Sequence, residues 1–239
     1  MADYCKLATA SIEWNDREML LRMFELRVLQ GFGEKPPSWN TVWDAVSVPT
    51  IDGRNTLDFL LDASLMRPRY LIRLFETARR RAVTLGRDKI DEADYKAGLE
   101  ELGWQVLEDF DRELADVIPD AEELLFELAQ LGARTSLSKL RQVIARKVSD
   151  PQLVEAVIDV LIWTGCIGVL SSNRTFYISD CGFKRPYIRA LIQNEDARSI
   201  VFHPTLASIF TRPDTAPTRS AASRRERERR FDTRQGILF

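Results

Sequence analysis

Apolar positions spaced three and four residues apart dominate this chain, and they predict a succession of helices punctuated by glycine and proline. Residues 7–14 alternate loosely around Thr9, Ile12 and Trp14, the pattern of a short strand. Asn15-Asp16-Arg17-Glu18 then offers an N-cap with a glutamate three residues on, and Met19, Leu20, Met23, Phe24 and Leu26 form one face of a helix that stops near Gly31. After Pro36-Pro37-Ser38, the positions of Trp39, Val42, Trp43 and Val46 predict one buried helical stripe. A further helix is predicted over 56–65, carrying Leu57, Phe59, Leu60 and Leu61. It leads into Arg67-Pro68-Arg69-Tyr70, where proline in a first helical turn fixes φ at no cost in hydrogen bonding. Leu71, Ile72, Leu74, Phe75, Ala78 and Ala82 make the buried stripe of that helix, and Gly86 ends it. Asp91 is a candidate N-cap for a long helix on which Tyr95, Leu99, Leu102, Val106, Phe110, Leu114 and Val117 recur at helical intervals.

In the second half, helix signals run over 120–131 to Gly132 and over 136–148. They resume after Asp150-Pro151, an N-cap followed by a first-turn proline, and end at Gly165. Apolar strands are predicted over 166–170 and 175–178, joined by the turn-forming Ser171-Ser172-Asn173-Arg174. Three helices followed by a two-stranded wing predict a winged helix. The fold class is therefore mainly α, a helical bundle followed by a winged-helix domain with a short β-hairpin.

Composition narrows the chemistry. With 239 residues, 45% of them hydrophobic and 29% charged, the chain can build two small cores. No apolar run approaches the roughly 20 residues of a spanning helix, and the first residues lack the layout of a secretory signal, so the expectation is a cytoplasmic protein without membrane contact. Cys5, Cys166 and Cys181 have no metal-type spacing and are expected as free thiols. The single histidine, His203, lies in Phe202-His203-Pro204 beside the apolar run 199–202, and a structural role is expected for it. Zinc hydrolysis, a serine triad and a cysteine-histidine dyad all lack a signature. No Gly-x-x-x-x-Gly-Lys-Ser/Thr run exists to cradle nucleotide phosphates, and Gly31 and Gly33 are spaced as helix-ending punctuation. No catalytic residues and no metal ligands are assigned, and the chain's standing as an enzyme is left open.

Three segments, Arg67-Pro68-Arg69-Tyr70-Leu71-Ile72-Arg73-Leu74-Phe75, Asp88-Lys89-Ile90-Asp91-Glu92-Ala93-Asp94-Tyr95 and Phe202-His203-Pro204, stand in the order seen in a group of bacterial P-loop ATPases linked to phage defence. Over roughly residues 7–210 the chain resembles the helical lid and appended winged helix of that AAA and signal-transduction lineage. The resemblance implies that Arg69 occupies the place of the lid's sensor arginine, which reaches the nucleotide's terminal phosphate. Arg67 and Arg73 are the neighbouring candidates. Arginine suits the task because its charge is permanent and its planar fork binds two phosphate oxygens. The family's Walker loop is missing, since the chain begins around what would be the last strand of the nucleotide-binding core. The expectation is either a split or truncated relative docking on a Walker-loop subunit, or on further copies of itself, or a remnant without nucleotide chemistry. ATP would then be held only with a partner subunit, and by this chain alone no cofactor. The competing reading makes Arg67, Arg69, Arg73, Arg79, Arg80 and Arg81 a solvated basic face.

Domain bounds follow: 1–118 as the lid-like bundle with its N-terminal strand, 119–210 as the winged helix, and 211–239 as a disordered tail. The helix over 151–164 bears Glu155 and Asp159 and no lysine or arginine, the wrong sign for entering a major groove. Lys139, Arg141, Arg146 and Lys147 on the preceding helix, and Arg224, Arg225, Arg229 and Arg230 in the tail, are the candidates for weak nucleic-acid contact. Despite a net charge of −2, residues 100–127 hold many acids against one base, Arg112, which is most simply a solvated helix face. The sequence therefore supports a non-catalytic lid and winged-helix module that senses nucleotide on a partner or contacts it. A DNA-binding regulator and a structural interaction subunit are the alternatives.

Overall fold

The computed structural model describes residues 16–193 and 199–210, and within them the chain is mainly helical with two small antiparallel sheets. The strand expected over 7–14, Cys5 and the arginine-rich tail lie outside the described residues.

The first helix, α1 (Arg17–Gln30), is capped by Asp16, whose carboxylate accepts from the amides of Glu18 and Met19. The N-terminal start is therefore set by Asp16, with Arg17 as the first helical residue, and Gly31 is the C-cap. Only Leu20 and Phe24 of its expected apolar face are buried, while Met19 and Leu26 are exposed. A five-residue apolar set spans too wide an arc for the narrow contact that α1 makes. Helix α2 (Trp39–Val46) starts at Ser38, which accepts from the Thr41 amide. Its Trp43 stacks on Phe75 with ring centroids 6.0 Å apart, and Phe24 meets Trp39, Trp43 and Phe75 edge to face. Four large rings packed this way bury much apolar area, each contributing on the order of 2 kcal/mol.

A two-residue hairpin absent from the sequence-based expectation, β1 (Thr50–Ile51) with β2 (Arg54–Asn55), turns through Asp52-Gly53, both at positive φ. Asn55 then caps α3 (Thr56–Ala63). Helix α4 (Pro68–Thr84) begins with proline at its first position and ends at Gly86, whose φ of +70° lets the amide of Arg87 return to the carbonyl of Ala82. Helix α5 (Glu92–Val117) opens with a capping box between Asp91 and Asp94, and it buries Tyr95, Leu102, Val106, Phe110 and Leu114 against α4 and its neighbours. Val117, expected on the same stripe, is exposed because α5 has reached its last turn there.

The helix expected over 120–131 is broken into a 3-10 turn, α6 (Leu124–Leu128) and a second 3-10 turn. Strand β3 (Arg134–Ser136) follows, then α7 (Leu137–Ile144), capped by Ser136, and α8 (Pro151–Trp163), capped by Asp150. The wing is β4 (Ile167–Ser171) and β5 (Arg174–Phe176), turning through Ser172 and Asn173 at positive φ. Helix, strand, two helices and a hairpin in this order make a winged helix. The sheet is larger than a hairpin: α9 (Arg185–Gln193) leads to β6 (Ser199–Phe202), which pairs with both β3 and β4 in the order β3-β6-β4-β5. The apolar run 199–202 is therefore a central strand.

The chain then crosses back. Helix α10 (Pro204–Phe210) lies along α5, and the Thr205 hydroxyl donates to the carbonyl of Ala63 in α3, 2.8 Å away. One continuous apolar core runs from Leu20 to Ile209.

Candidate functional site

The arginine-bearing start of α4 follows an unusual bend. Leu65 and Met66 both adopt left-handed backbone (φ +52° and +56°), a conformation that costs non-glycine residues roughly 1 kcal/mol or more each. The bend turns the chain from α3 so that Arg67 becomes the N-cap of α4, with no side-chain cap of its own. Its guanidinium lies 4.4 Å over the Phe110 ring and donates to Glu113 Oε1 at 2.9 Å, which ties the bend to α5.

Arg69, in the first turn of α4, makes an ion pair with Asp109 and lies over the Tyr70 ring. Asp109 is the hub of this end of the bundle. Its side chain is only 10% exposed, and it also accepts from Tyr70 Oη at 3.2 Å, Gln105 Nε2 at 3.1 Å and Arg112 Nη2 at 2.8 Å. Burial of Tyr70 pushes its phenol up to about 12, so it donates to Asp109 at all ordinary pH. The Arg69 side chain remains 69% exposed, so its guanidinium sits at the rim of a carboxylate that is itself well satisfied. Arg73 is exposed on the same helix and, with Arg79, has no ion pair among the described residues. Arg80 pairs with Glu101 at 2.8 Å and Arg81 with Asp94 at 3.4 Å. The α4 arginines thus divide between those engaged with acids of α5 and those facing solvent.

The acidic partners Asp109 and Glu113 went unassigned in the sequence, lost within a long acidic run. The available signal was position: Asp109 adjoins Phe110 on the buried stripe between Val106 and Leu114, where a solvated acid has no place. Asp111 is similar. Buried on the other flank of α5, it accepts from the amides of Glu123 and Leu125 at 2.9 and 3.1 Å and so caps α6 from a distance. Desolvation holds its carboxyl above the usual range, partly offset by those two amides.

The other candidates lie apart from this cluster. On α7, Arg141 is engaged by Glu155 of α8 at 2.6 Å. Just beyond α7, Lys147 reaches Glu127 at 3.3 Å and the Glu122 carbonyl at 2.7 Å. Lys139 and Arg146 are exposed and without an ion pair among the described residues. Arg224, Arg225, Arg229 and Arg230 lie outside those residues. The acids of α8 are not open charges: Glu155 pairs with Arg141, and Asp159 is gripped by Arg185 and Arg189 of α9. The sign of α8 taken alone therefore misstates its surface.

His203 is buried between the halves, edge-on to Tyr177 with ring centroids 4.9 Å apart, and its Nδ1 accepts from the Thr205 amide at 3.3 Å. It caps α10, and burial lowers its pKa to about 4. Cys166 and Cys181 are buried free thiols, and burial pushes Cys166 up to about 12, which keeps it protonated and unreactive. No helix of the described residues is long and apolar enough to cross a membrane.

With this geometry in hand, comparison places residues 18–111, from α1 through most of α5, in a match to a family model described as the FunZ-associated C-terminal helical domain. The matched stretch contains Arg67, Arg69, Arg73 and Asp109. No curated protein and no solved structure matches the chain. The match is confined to the helical first half, and α6 to α10 lie beyond the matched stretch.

Proposed function

We propose that this chain is a non-catalytic accessory module in which 1–118 serves as a lid-like bundle and 119–210 as a winged helix fastened to it by α10. It works beside the P-loop ATPase machinery of a partner chain, in the setting of antiviral defence that the sequence resemblance implies. Arg69 is the residue that meets the nucleotide. The observation that carries this reading is the state of Arg69: a mostly exposed guanidinium at the start of a helix, held by an exchangeable ion pair with Asp109. An ion pair at such exposure contributes about 1 kcal/mol or less, so a terminal phosphate with more charge can displace the carboxylate. Asp109 loses little in the exchange because Tyr70, Gln105 and Arg112 still donate to it. The family match supports the accessory role, since its description is of a domain attached to something else.

The test is reconstitution. ATP turnover by a Walker-loop partner is measured with and without this chain, and then with Arg69→Ala. Stimulation that falls at least tenfold in the variant supports the assignment. Stimulation unchanged by Arg69→Ala removes Arg69 from it, and no effect of the chain on any such partner removes the accessory reading.

A further inference from the structure

A second surface, remote from the α4 arginines in sequence and built by the winged helix, has chemistry of its own. Between the end of α8 and the start of α9 runs an open groove of about 900 Å³, lined by Trp163, Phe183 and Tyr187 together with Lys184, Arg185 and Asp159. Trp163 and Tyr187 are each more than half exposed, 52% and 56%, which is unusual for two large aromatics sharing one groove. Phe183 anchors the floor by an edge contact with Trp163 at 6.3 Å. It reaches that position through a left-handed backbone (φ +56°) that is sustained by its own N–H donating a hydrogen bond to the Ile178 carbonyl.

The charge of the rim is unbalanced. Lys184 and Arg185 line the groove with one acid, Asp159, to which Arg189 also pairs, and Lys184 has no ion pair among the described residues. Arg185 and Arg189 share that one carboxylate while remaining about half exposed. Both can turn toward an incoming anion. Exposed π-faces flanked by cations that can each take a phosphate are the elements of a single-strand nucleic-acid platform, in which bases stack and the backbone is neutralised. A duplex does not fit this arrangement. Its bases are already stacked on one another, so they cannot also stack on Trp163 and Tyr187.

We propose that the α8–α9 groove binds single-stranded nucleic acid, stacking bases on Trp163 and Tyr187 and holding phosphates with Lys184, Arg185 and Arg189. The experiment uses the full chain and fluorescence anisotropy of a labelled oligo(dT) of about ten nucleotides, within the span one small module covers. Trp163→Ala and Tyr187→Ala are each expected to weaken binding roughly 5- to 150-fold, the range set by loss of one stacked base. Lys184→Gln should lower the slope of log K against log salt by about 0.7. An abasic strand of equal length measures binding that needs no bases, through any other basic segment, and should not distinguish the Trp163 variant from the parent.

Parent-like affinity for oligo(dT) in both aromatic variants, with unchanged melting temperature, overturns the proposal. So does an equal loss of abasic-strand binding, which would mean that the aromatics act through the fold. Because both side chains are half exposed, at least one variant is expected to fold, and either alone decides the matter. If an oligo-glutamate probe proves sensitive to Trp163→Ala and oligo(dT) does not, the groove is an acidic-peptide site and the proposal fails.

Discussion

A side-chain carbon placed on Gly103 would stand 2.6 Å from the carbonyl oxygen of Thr205. The two residues are 102 positions apart in sequence, and their approach is what lets α10 lie flat along α5 and tie the end of the described chain to the first helical bundle.

Gly103→Ala should therefore destabilise the fold, although alanine is the better helix former by about 1 kcal/mol. The obstruction is backbone, so α10 must shift as a unit, and overpacking of this kind costs typically 1–3 kcal/mol. The expected outcome is a lower urea midpoint for Gly103→Ala, and one at or above the parent's would show that α10 does not pack on α5 in solution.

The Arg69–Asp109 pair is asymmetric, and its two halves should respond differently. Arg69→Ala is expected to change stability by less than about 1 kcal/mol, because the guanidinium is mostly exposed. Asp109→Ala removes the acceptor that Tyr70 Oη and Gln105 use as well, and leaving buried donors unpaired costs about 1–3 kcal/mol. Paired thermal melts check the order. A Arg69 variant that destabilised as much as the Asp109 variant would make this arginine part of the scaffold rather than of a binding surface.

His203 predicts a pH dependence. Its folded pKa of about 4 lies below its ordinary value of 6.5, so the unfolded chain takes up the proton first as pH falls. The contribution of the neutral, buried imidazole is complete above pH 6.5 and is lost on descending toward pH 4, at up to about 1.4 kcal/mol per pH unit. Comparing urea midpoints of the parent and His203→Gln across that window isolates the effect from the carboxylates. Parallel curves for the two proteins would place the imidazole in contact with water.

Asp111 caps α6 from a helix a dozen residues away. Asp111→Ala leaves the amides of Glu123 and Leu125 without their acceptor and should cost about 1–2 kcal/mol, as loss of a cap does. Hydrogen exchange at those two amides is expected to speed up well before the rest of the chain responds. Unchanged exchange there would mean that water or another group had taken over the cap.

Helix starts and stops were legible where a local rule dictates them. Asp91 and Asp150 cap the helices that follow, as their spacing predicts, and Pro68 and Pro151 occupy first turns. Each such feature involves residues within one turn of one another, so spacing alone reveals it. Contacts made at a distance were not legible. The run 199–202 carried no sign that it would lie between β3 and β4, because its pairing partners lie 29 to 67 residues away. For the candidate site, the sequence pointed to Arg67, Arg69 and Arg73 but not to the carboxylates that hold the first two.

The order of residues by itself determined the helical character of the chain, the helix starts at Pro68, Asp91 and Asp150 and the winged-helix succession, since capping, proline placement and apolar period act through neighbouring peptide units. Only the tertiary structure decided which acids are buried, that Asp159 is shared by Arg185 and Arg189, and that α10 returns to α5. Those outcomes depend on which surfaces exclude water from one another, and that is a property of the packed chain as a whole.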